Sequence, residues 1–149
     1  MSVDVSNSIF IKRSRAILSE YAANPDNAPR WYVNIKVVEW KTSPPVTIRS
    51  QIAFVAHFLG RRMAYTYEVV ELVPGERLVM RTAEGPFPME TTYTWETTPD
   101  GATRMTLRNR GTPTEFSRWL APFMARAMRR ANRKDLAALK QRLESPVPG

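Results

Sequence analysis

The side chains able to do chemistry are few, and their types narrow the options before any fold is considered. His57 is the only imidazole in 149 residues, and cysteine is absent. Composition therefore excludes a thiolate metal site, a disulfide framework and an all-histidine metal centre. His57 falls on the polar parity of its segment near a turn, away from any bound substrate. No inward histidine is left for a Ser-His-Asp arrangement. No glycine-rich phosphate loop occurs. The remaining acid–base candidates are carboxylates and phenols. Glu68, Glu90 and Glu96 take the outward parity of their segments. Glu71 shares parity with Tyr65 and Tyr67, and Glu39 with Val33, Ile35 and Val37. An apolar surrounding would raise the pKa of either carboxyl toward that of a useful acid or base. The competing reading is a surface carboxylate at a strand end, because glutamate is rarely buried. Tyr65, Tyr67 and Tyr93 can position a ligand or donate a proton to an enolising one. These features assign no catalytic residue, no metal and no cofactor.

The elements that hold these residues follow from hydrophobic periodicity. Val3, Val5, Ile9 and Ile11 with polar neighbours predict a first strand. Ser14 stands at a helix N-cap before Ile17, Leu18 and Tyr21. Asn24 to Pro29 is a turn or a short helix, and Val33 to Trp40 a second strand. A meander follows: Ile48–Phe58, Met63–Leu72, Leu78–Ala83, Met89–Thr97 and Thr103–Asn109, separated by Gly60, Pro74-Gly75, Gly85-Pro86 and Pro99-Asp100-Gly101. Short turns between successive strands make antiparallel neighbours. Thr114 then caps a helix running to about Glu144. Phe116, Leu120, Phe123, Met124, Ala127, Met128 and Ala131 fall on one of its faces, and Arg118, Arg126, Arg129, Arg133 and Lys140 roughly opposite. Pro122 either kinks this helix or starts its main segment. The length suits one domain over 1–149, with residues 145–149 a loose tail. The fold class is α+β: about seven antiparallel strands with one dominant C-terminal helix.

Strand alternation selects an inner face. Ile52 and Phe54, then Met63, Tyr65 and Tyr67, then Met80, share it with Met89, Thr91, Tyr93 and Trp95 and with Met105 and Leu107. Leu120, Phe123, Met124 and Met128 face them from the helix. Val70 and Leu72 are apolar on the other parity, which makes the fourth strand the least regular. The inner surface is rich in methionine, which adapts to irregular shapes, and in rings with one polar tip. Two readings stand: these side chains fill a closed core, or they line a cavity for a small hydrophobic or aromatic molecule.

Charge is unevenly distributed. Positions 1–100 hold 11 basic and 11 acidic residues, and positions 101–149 hold 11 basic and 3 acidic, so the last third carries the net charge of +8. Any electrostatic partner should meet the C-terminal part. The bland alternative is a solvated outer helix face. No nucleic-acid-binding module is recognisable, so no specific nucleic-acid partner is expected. No apolar run approaches the roughly 18 residues of a membrane span. The polar N-terminus (Ser2, Asp4, Ser6, Asn7) does not resemble a signal peptide, so a cytoplasmic protein is expected.

Several local patterns resemble the START-like superfamily, also called SRPBCC, and within it the polyketide cyclase/dehydrase branch. Asp26, Pro29 and Trp31 precede the second strand as an Asp-Pro-Trp pattern does there. Gly60-Arg61-Arg62 with Val69, Glu71 and Pro74 is similar to its central hairpin. Gly101 and Thr103 resemble its Gly-Gly-Thr turn, with Ala102 replacing one glycine. Leu136, Leu139-Lys140 and Leu143-Glu144 resemble its C-terminal signature. The resemblance implies a helix-grip fold, in which the sheet curls around the last helix and leaves a cavity. That superfamily includes lipid and hormone carriers and aromatase/cyclases, and has no common catalytic set to transfer. The leading expectation is a ligand-binding protein. A cyclase/dehydrase-type enzyme and a basic module docking on an acidic partner are the alternatives.

Overall fold

Alternating β-branched, aromatic and polar residues build strands, and short turns force successive strands to run antiparallel. A computed structural model describes residues 3–58, 60–84, 88–112 and 121–145. Along the chain these form β1 (Val3–Ile11), α1 (Arg15–Ala23), a 3-10 turn (Pro25–Asn27), α2 (Ala28–Trp31), β2 (Ile35–Trp40), β3 (Gln51–Phe58), β4 (Arg61–Val73), β5 (Arg77–Glu84), β6 (Met89–Thr97), β7 (Thr103–Gly111) and α3 (Ala121–Glu144). The strands make one antiparallel sheet in the order β1-β7-β6-β5-β4-β3-β2. The expected α+β architecture is the one observed. Ser14 caps α1, its side chain accepting from the Ile17 N–H at 3.3 Å. Gly101 sits at φ +86° in the β6–β7 turn, a region open to glycine at no steric cost.

Two strands start later than the pattern predicts. The chain before β3 turns at Arg49, whose φ is +79°. Its N–H donates to the Val69 carbonyl at 2.7 Å, and Thr47 N–H donates to Ser50 Oγ at 2.8 Å. This local network takes Ile48 out of the strand, so β3 opens at Gln51. Val33 is held outside β2 because its N–H is claimed by Asp135 Oδ1 at 2.8 Å. Pro122 lies in the first turn of α3 as described, while Thr114, Phe116, Leu120 and the tail at 146–149 fall outside the described residues.

The helices cover the inner face, α3 together with α1 and α2. Leu136, Leu139 and Leu143 of α3 pack with Ile11, Leu18, Trp31, Ile52, Val69, Leu78, Met105 and Leu107 in the main core. Met124 and Met128 join Val3, Val5 and Met63 in a second cluster toward the other end of the helix. The outer face of the sheet is polar, and some of its charges are paired. Glu90 receives Arg81 at 2.6 Å and also Arg110, and Asp4 receives Arg108 at 2.6 Å. Leu139 is wholly buried. Truncation by Leu139→Ala should cost about 2–5 kcal/mol, the range for a fully enclosed leucine. A urea midpoint within error of the wild type would show that the helix does not hold this core.

Candidate functional site

The inner face is not filled throughout. A cavity of about 150 Å³ lies between the sheet and the first half of α3. That is the size of engineered cavities that accept benzene. Phe54, Met63, Tyr65, Tyr67, Met80, Met89, Thr91, Tyr93, Met124 and Met128 line it, all from the parity that the sequence selects. Ala56 and Ala131, which share the inner parity of β3 and the apolar face of α3, line it as well, as does Asn109, on the parity of Met105 and Leu107; Tyr32, Asn34, Ile35, Asn132 and Asp135 complete the wall, and the sequence reading does not single them out. The half-exposed members Asn34, Ala56, Tyr65 and Ala131 mark its rim.

Other inner-face candidates lie elsewhere. Ile52, Met105 and Leu107 are fully buried in the main core and do not reach the cavity. Trp95, 2% exposed, packs edge-on to Tyr93 and borders a separate cleft beneath α1 with Trp40 and Pro44. Leu120 falls outside the described residues. Phe123 does not converge on the cavity: it is 62% exposed. The buried stripe of α3 runs through Met124, Met128, Asn132, Asp135, Leu136, Leu139 and Leu143. Phe123 is one position off that stripe, about 100° around the helix.

Both carboxylate candidates face away, and the reason is the same. The β4–β5 register shifts between Val69 and Glu71, leaving Val70 unpaired. Such a bulge reverses side-chain parity beyond it. Leu72 therefore joins the core opposite Leu78, and Glu71 turns out to pair with Arg77 at 3.0 Å. A second shift between Ile35 and Val37 reverses β2. Val38 and Trp40 then pack inward, and Glu39 is exposed beside Lys41 at 2.8 Å. His57 is exposed, as its parity predicts.

The polar groups of the cavity form two hydrogen-bonded sets. Tyr32 and Tyr93 hydroxyls lie 2.5 Å apart. Thr91 Oγ1 donates to Asn109 Oδ1 at 2.7 Å, and Asn109 Nδ2 donates to Asn132 Oδ1 at 2.9 Å. Asn132 Nδ2 is buried without a partner among the described residues. Burial raises the phenols: Tyr67 is pushed up to about 12, with the Thr91 side chain opposing, and Tyr93 and Tyr32 are raised as well. All are neutral donors at ordinary pH.

Asp135 is the acid–base group that sequence reasoning missed. It is 4% exposed. Desolvation lifts its carboxyl from 3.8 to about 7, against the hydrogen bond from Val33. In the sequence it sits in a run of arginines and lysines, which suggests a salt-laced outer face. The signal that could have found it is its spacing, because position 135 lies four before Leu139 and seven after Met128 on the buried stripe. Among the described residues no lysine, arginine or histidine lines the cavity. The described residues also hold no cluster of histidines and carboxylates suited to a metal, and no described helix is long and apolar enough to cross a membrane.

A sheet curled around one long helix, with a space left between them, is the helix-grip class of START-like proteins. The chain belongs to the family described as polyketide cyclase/dehydrase and lipid transport, whose model matches residues 2–144. Solved structures with this fold include a Thermus thermophilus protein at 18% identity and TM-score 0.81, covering 94% of this chain and 96% of that one. A START superfamily protein from Mycobacterium smegmatis is 14% identical with TM-score 0.79, covering 95% and 97%. The Zhui aromatase/cyclase from Streptomyces sp. R1128 is 14% identical with TM-score 0.78, covering 97% and 98%. At these identities the likeness is one of fold. No curated protein matches the chain in sequence.

The raised Asp135 pKa has a consequence for stability. The folded protein keeps this proton up to about pH 7, whereas the unfolded chain releases it near 3.8. The associated stability is full below the unfolded value and is lost as pH rises through the folded one. Asp135→Asn keeps an oxygen for the Val33 N–H but cannot ionise. Wild-type urea midpoints should fall between about pH 4 and about pH 8, with the variant flatter over that window. Parallel profiles would mean that Asp135 is not desolvated.

Proposed function

We propose that the protein binds a small aromatic or otherwise apolar molecule in the cavity between the sheet and α3, without covalent chemistry. The observation that supports this is the space itself, walled by Met63, Met80, Met124 and Met128 and by the rings of Phe54, Tyr67 and Tyr93. Flexible thioethers conform to a guest, and apolar walls favour an apolar body. The Tyr32–Tyr93 pair and the Thr91–Asn109–Asn132 chain offer polar contacts that orient one end. The absence of a lining cation among the described residues, together with Asp135, disfavours a ligand carboxylate.

An enzyme of the cyclase/dehydrase type is the second reading, and Asp135 favours it. A desolvated carboxyl with a pKa near neutrality, beside neutral tyrosines, can move a proton on an enolisable ligand. Mass spectrometry of the native protein from its own host separates the two. A carrier delivers the same bound molecule from wild type and Asp135→Asn. A dehydratase leaves the variant holding a precursor heavier by one water.

Filling the cavity tests the binding reading. Ala131→Phe adds a ring at the rim and removes no hydrogen-bonding group, unlike a substitution of Thr91. Calorimetry with para-cresol should show saturable binding to wild type and a loss of on the order of tenfold or more in the variant. The melting temperature should stay within a few degrees, because the ring enters space that is already empty. Ala56→Phe provides the same test from β3. Equal binding by wild type and both variants would remove the cavity as the site.

A further inference from the structure

The basic face of α3 concentrates exposed cations along one helix. On the sheet, Arg81 and Arg110 are neutralised locally by Glu90 and Arg108 by Asp4. On α3, Arg126, Arg129, Arg130, Arg133 and Lys134 are all exposed, and none forms an ion pair with a described residue. Phe123, Arg126, Arg130 and Lys134 recur at three- and four-residue spacing, so they share one side of the helix. With Val33 they line a surface groove. Phe123 is 62% and Val33 45% exposed, large apolar side chains set among unpaired cations. The groove also includes Asn34 and Ala131, which belong to the rim of the internal cavity.

We propose that this face, Phe123 and Val33 ringed by Arg126, Arg130 and Lys134, is a docking surface for an anionic lipid bilayer, which it meets with the cavity rim turned toward the membrane. Charge complementarity selects the partner. A sheet of phosphate headgroups neutralises several fixed cations at once, and each contributes separately to adsorption. The exposed ring selects a bilayer over an acidic polypeptide. An aromatic side chain gains from entering the boundary between headgroups and acyl chains, and a basic helix with such a side chain lies in that plane. The surface does not depend on the cavity being occupied, so it stands or falls separately from the binding reading.

The test is co-sedimentation of the full chain with vesicles of phosphatidylcholine alone and of phosphatidylcholine with roughly one quarter phosphatidylglycerol. Wild type should bind the anionic vesicles and not the neutral ones, with binding falling steeply as salt rises. Arg126→Glu with Arg130→Glu should reduce binding on the order of tenfold or more. Phe123→Ala should reduce it several-fold at an unchanged melting temperature, because the side chain is already in solvent. A soluble polyglutamate should bind wild type and Phe123→Ala alike. Equal binding to neutral vesicles, unchanged binding by the charge-reversed variant, or no effect of Phe123→Ala would each overturn the proposal. So would polyglutamate binding that requires Phe123, which would make an acidic polypeptide the partner.

Discussion

One constraint governs this structure: a few helices, the long α3 chief among them, must cover the inner face of a seven-stranded sheet. Where α3 presents leucine, at positions 136, 139 and 143, the cover is complete and the core closes on Trp31, Met105 and Leu107. Toward its start the same stripe presents Met124, Met128 and Asn132, with Ala131 beside it. Small, unbranched and polar side chains do not fill the curved face there, and a cavity remains. Packing at one end and space at the other arise from the side-chain composition of one helix. A cavity in a close-packed protein forfeits dispersion contacts along its whole lining.

Polarity inside that space is sparse and arranged. Thr91, Asn109 and Asn132 pass hydrogen bonds from β6 through β7 to α3, so the chain fixes helix and sheet at the level of the cavity. Each bond made between buried groups avoids the penalty of an unpaired one. Asn132 Nδ2, without a partner among the described residues, and the desolvated Asp135 carboxyl are three residues apart on one helix face. The chemistry of the cavity is therefore concentrated on α3, although most of its wall comes from the sheet.

Much of the fold was legible in the sequence because its signals are local. Turn glycines, the Ser14 cap and the period-two pattern of β6 and β7 match what the structure shows, since each depends only on near neighbours. What could not be read are the places where parity is interrupted. An unpaired Val70 reverses Glu71 and Leu72, and a shift near Lys36 reverses Glu39 and Trp40. The apolar Val70 and Leu72 on the unexpected parity were the visible trace of the first. Phe123 misled because the apolar period of a helix places a residue to within about one position, while the stripe on α3 is narrow. Asp135 was hidden by its basic neighbours, because charge composition describes a helix as a whole and says little about one face of it. The late start of β2 has the same origin, for Val33 is captured by a residue about a hundred positions away.

That last contact ties the interior to the exterior. Asp135 Oδ1 holds the Val33 N–H, and Val33 is an exposed residue at the entrance to the edge strand β2. One carboxyl group thus belongs to both the cavity wall and the anchoring of a surface segment. A charged acceptor holds an amide more strongly than a neutral one. Anything that alters the ionisation of Asp135 from inside must then alter how firmly the lead into β2 is held outside. Thermodynamic linkage makes the relation mutual: pulling on Val33 changes the proton affinity of Asp135 by the same free energy. The protein carries a built-in communication line one hydrogen bond long.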